Sequence, residues 1–206
     1  MRLVLDWDGT VTERDTLHMA IERFGDLEVF HALERQIGRN LTLNEVIEVE
    51  MGTISAPFEE VLDWLLETVT IRPGFAELVA EHSPLIISAG FRQLILPVLE
   101  REGVTVDVIA NSLEPAASGW RSTFLERDAC PVCGEPCKRV ALAGDGPFTY
   151  VGDGVSDRCV SLAADRVFAR DGLARWLGES GAGYEEYNDF HDVLLALNRL
   201  CDPYDR

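Results

Sequence analysis

The chain has 206 residues, of which 18 are Lys or Arg and 36 are Asp or Glu, so its formal net charge is −18. This length suits one well-buried domain with a modest insertion, and the charge argues against nucleic acid or an anionic membrane surface as a partner. No apolar run reaches the length of a membrane span, and residues 3–5 are too short a run for a secretory signal, so we expect a cytoplasmic protein.

The predicted elements begin with a buried β-strand over residues 2–7, which is followed by helical periodicity from 16 to 70. After a break at 72–74, helices and strands alternate, apart from an irregular stretch over 111–137, and the last residues, 202–206, are predicted to form a loose tail. The alternating elements are predicted as helix 75–82, strand 85–88, helix 91–102, strand 104–110, strand 148–152, helix 155–164, strand 166–169 and further helices.

This alternation predicts an α/β fold, a doubly wound and mostly parallel sheet that is covered by helices on both faces. We expect residues 1–14 and 73–206 to form the core domain. Residues 15–72 contain no convincing strand, so we expect them to form a small helical cap inserted after the first strand.

Polar side chains follow three of the apolar strands. Asp6 and Asp8 follow the first strand, residues 88–90 follow the second, and Asp153 and Asp157 follow the strand that ends at Gly152. Ligands of open α/β sheets bind outside the carboxyl ends of the strands, where all three clusters are predicted to lie. Carboxylates this close together are unfavourable unless a cation binds between them or one is protonated, and Mg²⁺ prefers such oxygen ligands.

Each cluster alone has a simpler structural explanation. Asp8-Gly9 and Asp153-Gly154 are common turn signals, and Ser88-Ala89-Gly90 alone would be assigned to a loop. Three such clusters in this order, each after an apolar strand, are much harder to obtain by chance, so together they favour a phosphate and Mg²⁺ site.

With these motifs the chain resembles the haloacid dehalogenase-like phosphatases, in the branch that contains phosphoserine phosphatase. The resemblance implies a Rossmann-like core and a Mg²⁺-dependent hydrolase of small phosphate esters. It implies that Asp6 is the nucleophile that carries the phosphoryl group and that Asp8 is the general acid and base. Ser88 would bind the phosphate, and Lys138 would neutralise charge, although the neighbouring Arg139 could do the same.

The same resemblance implies that Asp153 binds the metal beside Asp6 and the backbone carbonyl of Asp8, and that Asp157 binds the metal or orients its ligands. Cap side chains should set specificity, and His18 and His31 are expected on the surface. The remaining candidates for binding phosphate or substrate are Thr10, Ala89, Gly90, Asp15 and Arg92, with Arg23, Arg35 and Arg39 as further cap candidates.

A cysteine cluster precedes Lys138. Cys130, Cys133 and Cys137 have the spacing of half a zinc site, whereas Cys159 and Cys201 lie apart in sequence. A closed Zn²⁺ site needs a fourth ligand, and three alternatives stay open: a histidine such as His82 or His191, a residue of a second copy of the chain in a homodimer, or three reduced cysteines without metal. With or without metal, the cluster is expected to hold Lys138 in place.

The cysteines before Lys138 and the segment 165–171 resemble the methionine-salvage phosphatases that act on 2-hydroxy-3-keto-5-methylthiopentenyl-1-phosphate. Arg139, where that family tends to have proline, and a shorter cysteine loop depart from it. Phosphoserine phosphatase is an alternative, although Asp15 stands where those enzymes usually carry a glutamate and Gly9 replaces a common serine.

Three other classes of function compete with a phosphatase. A phosphotransferase would use the same chemistry, whereas a non-catalytic module that binds Mg²⁺ or phosphate would not need the general acid Asp8. A zinc-dependent scaffold built on residues 130–137 would leave the acidic strand ends unexplained.

Overall fold

The computed structural model describes residues 1–144 and 146–199, and the predicted tail at 202–206 lies outside them. Its centre is a seven-stranded sheet in the order β4-β3-β2-β1-β5-β6-β7, in which only the β3–β4 pair is antiparallel. The strands are β1 Arg2–Leu5, β2 Leu85–Phe91, β3 Asp107–Glu114, β4 Arg121–Thr123, β5 Phe148–Gly152, β6 Arg166–Ala169 and β7 Glu185–Glu186. The predicted α/β fold with a mostly parallel sheet is confirmed.

Ten α-helices are assigned in the described part of the chain, and the first four form the segment predicted to be a cap. They are α1 Thr16–Phe24, α2 Leu27–Glu34, α3 Leu43–Gly52, α4 Phe58–Thr68, α5 Phe75–His82, α6 Arg92–Arg101, α7 Lys138–Ala141, α8 Arg158–Ser161, α9 Asp171–Ser180 and α10 Phe190–Arg199. A short antiparallel bridge between Thr12 and Ile71 joins the two chain segments at the base of these helices. The domain limits at 15 and 72 stay a prediction.

Side-chain capping explains where the cap helices begin. Asp15 accepts a hydrogen bond from the backbone N–H of His18 at the start of α1, and Asp26 caps α2 in the same way. Thr42 and Glu45 form a reciprocal capping box at the start of α3. These contacts satisfy N–H groups that lack partners within the helix.

Two segments differ from the prediction. Strand β3 begins and ends later than 104–110, because Val104 and Val106 pack on the core as loop residues and Leu113 is buried. Strand β4 lies within the stretch predicted to be irregular, where Glu114 and Arg121 form an ion pair of 2.9 Å. Such a short polar edge strand lacks the alternation of apolar and polar residues from which a strand is predicted in a sequence.

The helix predicted over 155–164 is instead a 3₁₀ turn, Val155–Asp157, followed by the short α8. The buried carboxylate of Asp157 accepts the backbone N–H groups of Asp153 and Gly154, at 3.0 and 2.9 Å. These contacts tighten the turn and replace the start of a regular helix.

The cap and the sheet share one hydrophobic core. Met51 and Leu65 of the cap belong to the same buried cluster as Leu94 and Val98 of α6, and Trp7 is fully buried in it. The cap is therefore anchored to the sheet by apolar packing. Within the described residues, no helix is long and apolar enough to cross a membrane.

Candidate active site

Asp6 lies immediately beyond the end of β1, at the carboxyl edge of the sheet. This residue is 4% exposed, and its backbone N–H donates to the carbonyl of Val151 on β5. Its Oδ1 accepts a hydrogen bond from the backbone N–H of Trp7 at 2.6 Å and lies 2.6 Å from the ammonium of Lys138. One carboxylate oxygen is thus fixed by two donors.

Lys138 is the first residue of α7 and is buried between two acids. Its Nζ lies 2.6 Å from Asp6 Oδ1 and 2.7 Å from Asp157 Oδ1. Burial alone would lower the pKa of Lys138, but the charges of Asp157 and Asp6 outweigh it and raise that pKa above its ordinary value. The lysine is therefore held as a cation, and it is Lys138, not Arg139, that reaches the predicted nucleophile.

Asp157 is fully buried, and both of its oxygens are already hydrogen-bonded. Oδ1 accepts from Lys138 and from the Tyr150 hydroxyl at 2.6 Å, and Oδ2 accepts the two backbone N–H groups that fix the turn. Burial acts to raise the pKa of Asp157, but Lys138 and these donors lower it below its ordinary range. Its contacts fit the orienting role better than that of a metal ligand.

Asp8 lines the same cavity as Asp6. Its Oδ1 accepts from the backbone N–H and the hydroxyl of Thr16 at 2.8 and 2.5 Å, and its Oδ2 lies 3.5 Å from Ser88 Oγ. Burial, aided by the negative charge of Asp15, raises the pKa of Asp8 to about 7. A carboxyl group with such a pKa suits both donating and accepting a proton.

The bend in β2 places the Ser88-Ala89-Gly90 segment beside Asp8. The strand register shifts between Ile87 and Phe91, and the Gly90 N–H donates to Ser88 Oγ at 2.8 Å. A β-carbon at Gly90 would lie 2.7 Å from Asp8 Oδ2, so only glycine allows this approach. The segment thus brings a hydroxyl and backbone donors to the predicted phosphate site.

Asp153 follows β5 and faces the loop that holds Asp6 and Asp8. The Thr10 hydroxyl donates to Asp153 Oδ1 at 2.7 Å, and a β-carbon at Gly9, whose φ is +73°, would overlap Asp153. Burial and the charge of Asp157 raise the pKa of Asp153 to about 7. Thr10 therefore contacts a carboxylate through its side chain, which differs from its predicted contact with phosphate.

The donor set of these acids fits Mg²⁺. Oxygens of Asp6, Asp153 and Asp157 lie within 4.8 Å of one another. Burial, Asp157 and Asp153 raise the pKa of Asp6 well above its ordinary value even though Lys138 opposes them. A divalent cation would relieve this repulsion, and carboxylate oxygens are ligands that Mg²⁺ prefers. Since Asp157 is engaged elsewhere, Asp6 and Asp153 are the side chains with an oxygen available.

A cavity of about 460 Å³ lies over these acids and is roofed by the cap. Asp15, Glu34 and Glu50 contribute acidic groups to its cap wall, while Leu17, Ile37, Leu43 and Ile47 contribute apolar surface. His18, which was expected on the surface, also lines this wall. Its Nε2 lies 3.7 Å from Asp15 and 4.0 Å from Glu34.

Not every candidate reaches this cavity. Arg92 lines a separate surface depression beside Phe58, and its guanidinium donates to the Val108 carbonyl at 3.4 Å. That placement does not suit phosphate binding at Asp6. The cap arginines at 23, 35 and 39 are also absent from the lining of the cavity.

The cysteine cluster contains a fourth thiol, that of Cys159, which lies apart from the other three in sequence. The Sγ atoms of Cys130, Cys133, Cys137 and Cys159 all lie within 4.8 Å of one another. Cys159 belongs to α8, so neither a histidine nor a second chain is needed to complete a set of four. His191 lies beside Gly74 instead, and a homodimer stays a prediction.

Sequence reasoning missed several residues that position the site. Tyr150 and Thr16 hold Asp157 and Asp8, and Asn111 donates to the Ala89 carbonyl at 2.7 Å. Arg72 is 6% exposed and donates to the carbonyls of Gly9 and Thr10 at 2.8 Å each. The sequence around Arg72, just before a predicted turn, does not indicate this role, because its partners are backbone atoms some sixty residues earlier.

Comparisons with known proteins agree with this fold. The sequence profile of the haloacid dehalogenase-like hydrolases matches residues 3–161, and the chain belongs to this family. Full-length relatives from Bacillus mycoides (strain KBAB4) and Bacillus thuringiensis (strain Al Hakam), each 26% identical over 98% of both chains, are named 2-hydroxy-3-keto-5-methylthiopentenyl-1-phosphate phosphatase. The protein is a phosphatase of the haloacid dehalogenase-like family.

Solved structures share the fold. A phosphoserine phosphatase carrying an analogue of the phospho-aspartyl intermediate superposes with a TM-score of 0.67 at 18% identity, covering 94% of this chain and 97% of that one. A haloacid dehalogenase family hydrolase from Salmonella enterica serovar Typhi reaches 0.71 at 17% identity, covering 93% of this chain and 69% of that one.

Proposed function

We propose that this phosphatase is a Mg²⁺-dependent phosphomonoester hydrolase that transfers the phosphoryl group of a small metabolite onto Asp6 and then to water. The observation that carries the proposal is the convergence on Asp6, whose carboxylate lies 2.6 Å from the Lys138 ammonium and shares the sheet edge with Asp8 and Asp153.

In the first step a carboxylate oxygen of Asp6 attacks phosphorus, and the bond from phosphorus to the ester oxygen breaks. Asp8 donates its proton to the departing oxygen, so that an alcohol or enol leaves. Ser88 and the backbone N–H groups beside it hold the phosphate oxygens, while Lys138 balances their charge. Bound at Asp6 and Asp153, Mg²⁺ would supply further positive charge to the transferring group.

In the second step Asp8, now ionised, takes a proton from a water molecule as that water attacks phosphorus. The bond between phosphorus and Asp6 breaks, inorganic phosphate leaves, and the Asp6 carboxylate and the Asp8 proton are restored. The pKa of about 7 at Asp8 supports this exchange of roles, because neither protonation state is strongly disfavoured near neutral pH.

As the substrate we propose the methionine-salvage enol phosphate, 2-hydroxy-3-keto-5-methylthiopentenyl-1-phosphate, after which the relatives are named. The apolar side chains of the cap wall would accommodate its methylthio tail. Burial raises the pKa of Glu50 to about 8, with Glu34 and Asp15 acting in the same direction. A protonated Glu50 can donate a hydrogen bond to a keto or hydroxyl oxygen of the substrate.

Phosphoserine is a second candidate, and the same acidic wall favours it. Glu50 is 4% exposed and its Oε1 has no hydrogen-bond partner, so it could also receive the ammonium group of an amino acid. Residence in the cytoplasm stays a prediction for either substrate.

Phosphate release from a panel of small esters, with and without Mg²⁺, tests the proposal. We expect Asp6→Asn to lower turnover by at least about 10⁴-fold, as loss of a nucleophile does in other enzymes. Asp63→Asn, the same change at an exposed cap position, should leave turnover unaltered. Acid-quenched protein should carry phosphate on Asp6. Full turnover by Asp6→Asn, or turnover that needs no divalent cation, would contradict the mechanism.

A further inference from the structure

The cysteine cluster lies beside the active site but contributes no group to the proposed reaction. Cys130, Cys133 and Cys137 belong to the loop that leads into α7, and Cys159 is the second residue of α8. Cys133, Cys137 and Cys159 line a second cavity, of about 310 Å³, next to the catalytic one. Four thiols from two separate segments therefore meet beside this cavity.

The spacing of the four thiols fits a tetrahedral metal ion better than disulfides. Cys130 Sγ and Cys159 Sγ lie 3.7 Å apart, far beyond the roughly 2.05 Å of a disulfide bond. Zinc–sulfur bonds of about 2.3 Å in a tetrahedron separate the sulfurs by about 3.8 Å. All four Sγ atoms lie within 4.8 Å of one another, so small side-chain movements would close the site.

The loop around Cys130 is shaped to present thiolates. Its turn is closed by a hydrogen bond of 2.8 Å from the Gly134 N–H to the Cys130 carbonyl, and Gly134 has a φ of +78°. The backbone N–H groups of Cys133 and Val132 donate hydrogen bonds to the Cys130 sulfur. Backbone donors aimed at a sulfur stabilise the thiolate, which is the form that binds metals.

We propose that Cys130, Cys133, Cys137 and Cys159 form a structural Zn²⁺ site. The four thiols lose their protons to solvent on binding, so the ion and four thiolates carry a net charge of −2. Arg127 lines the same cavity wall and supplies positive charge there. No position in the tetrahedron is left for water or substrate, which makes the site structural and not catalytic.

The site would clamp together the two segments that carry the Lys138–Asp157 ion pair. Lys138 directly follows Cys137, and Asp157 precedes Cys159 by two residues. The ion pair itself, at 2.7 Å, joins the same two segments deeper in the protein. A metal ion at their surface would resist separation of α7 from α8 and keep Lys138 directed at Asp6.

Measuring the metal content of the protein tests the proposal without relying on enzyme turnover. The full chain is expressed in zinc-supplemented medium and purified under reducing conditions, and its zinc content is measured by inductively coupled plasma mass spectrometry. We expect about one zinc ion per chain in the wild type. Cys159→Ser and Cys133→Ser should each weaken zinc binding by more than the roughly 10–100-fold that loss of an outer contact costs.

Asp153→Asn separates this site from the carboxylate site, because it should keep the zinc while losing Mg²⁺-dependent phosphate release. Cys133 is exposed, so a serine there is compatible with folding even if Cys159→Ser is not. Replacing zinc with Co²⁺ in the wild type should produce thiolate charge-transfer absorption, which requires no variant.

A folded wild-type protein that contains no zinc and takes up none would overturn the proposal. So would zinc that is lost in Asp153→Asn but kept in both cysteine variants, or an unreduced mass that shows disulfides among these four residues. Loss of phosphatase activity alone would bear on the proposed function and not on this site.

Discussion

The two walls of the active-site cavity differ in how their acidic side chains are partnered. On the sheet wall each acid has a donor: Lys138 for Asp6, Thr16 for Asp8 and Thr10 for Asp153, at distances of 2.5–2.8 Å. On the cap wall Glu50 Oε1 has no partner, and the Glu34 carboxylate lies 4.0 Å from His18 Nε2.

This difference separates two tasks. Fixed donors hold the sheet wall in one geometry, which is what transfer of a phosphoryl group requires. An unpartnered buried acid such as Glu50 on the cap wall is unfavourable in the free protein and becomes satisfied when a substrate with a suitable donor or acceptor binds. We therefore expect substitutions on the sheet wall to affect every substrate, and substitutions on the cap wall to affect some substrates more than others.

The largest effect on the sheet wall after Asp6 should come from Asp8→Asn. Loss of a general acid and base lowers turnover of alkyl phosphates by about 10²–10⁴-fold. p-Nitrophenyl phosphate needs no acid for its leaving group, so the variant should release one equivalent of nitrophenol rapidly and then stall with phosphate on Asp6. Rapid-quench kinetics measures both phases. Equal losses for all leaving groups and no burst would contradict the two roles of Asp8.

Lys138→Met should lower turnover by roughly 10²–10³-fold, as removal of an electrostatic contact to the transition state does. It should also reduce the free energy of unfolding by about 3–5 kcal/mol, because it leaves Asp157 buried without its cation. Urea denaturation and steady-state kinetics measure the two effects. Arg139→Met, the neighbouring basic residue, is the matched control and should change neither by much. A larger effect at Arg139 would reverse the assignment.

The sheet wall could be predicted from the sequence largely because its motifs follow apolar strands. Asp6, Asp8 and Asp153 each come at the end of a strand whose hydrophobic run is clear, and parallel topology then brings these ends together. Lys138 was placed by resemblance alone, since nothing near it in sequence indicates that it would reach Asp6.

The cap wall and the supporting contacts could not be predicted in the same way. Glu50 lies on an amphipathic helix among other acids, and only the packing of α3 over the sheet distinguishes it from the exposed Glu48. Cys159 joins the other three cysteines only because α8 returns beside α7. Helical periodicity gives the buried face of each helix but not the partner it meets.

On the cap wall, Glu50→Gln should distinguish the two candidate substrates. If Glu50 donates a hydrogen bond to a keto or hydroxyl oxygen, glutamine can still donate, and kcat/KM for the enol phosphate should change by no more than about threefold. If its charge receives an ammonium group, kcat/KM for phosphoserine should fall by roughly 10–100-fold. Glu48→Gln, on the exposed face of the same helix, is the control. A large loss for the enol phosphate would refute the proposed contact.

The smallest expected effect is the pH dependence of stability that Glu50 contributes. Its pKa is raised from 4.5 to about 8 in the folded protein, so between these values the unfolded chain loses a proton that the folded chain keeps. The Glu50 contribution therefore lowers the free energy of unfolding as pH rises from 4.5 to 8 and is absent below 4.5. Glutamine at position 50 does not titrate. In urea denaturation with EDTA, the free energy of unfolding of Glu50→Gln should therefore rise relative to that of the wild type by about 1–3 kcal/mol between pH 4.5 and 8. Glu48→Gln should follow the wild type. Parallel curves for wild type and Glu50→Gln would mean that Glu50 is ionised in the folded protein, and that the cap wall presents a charge to its substrate.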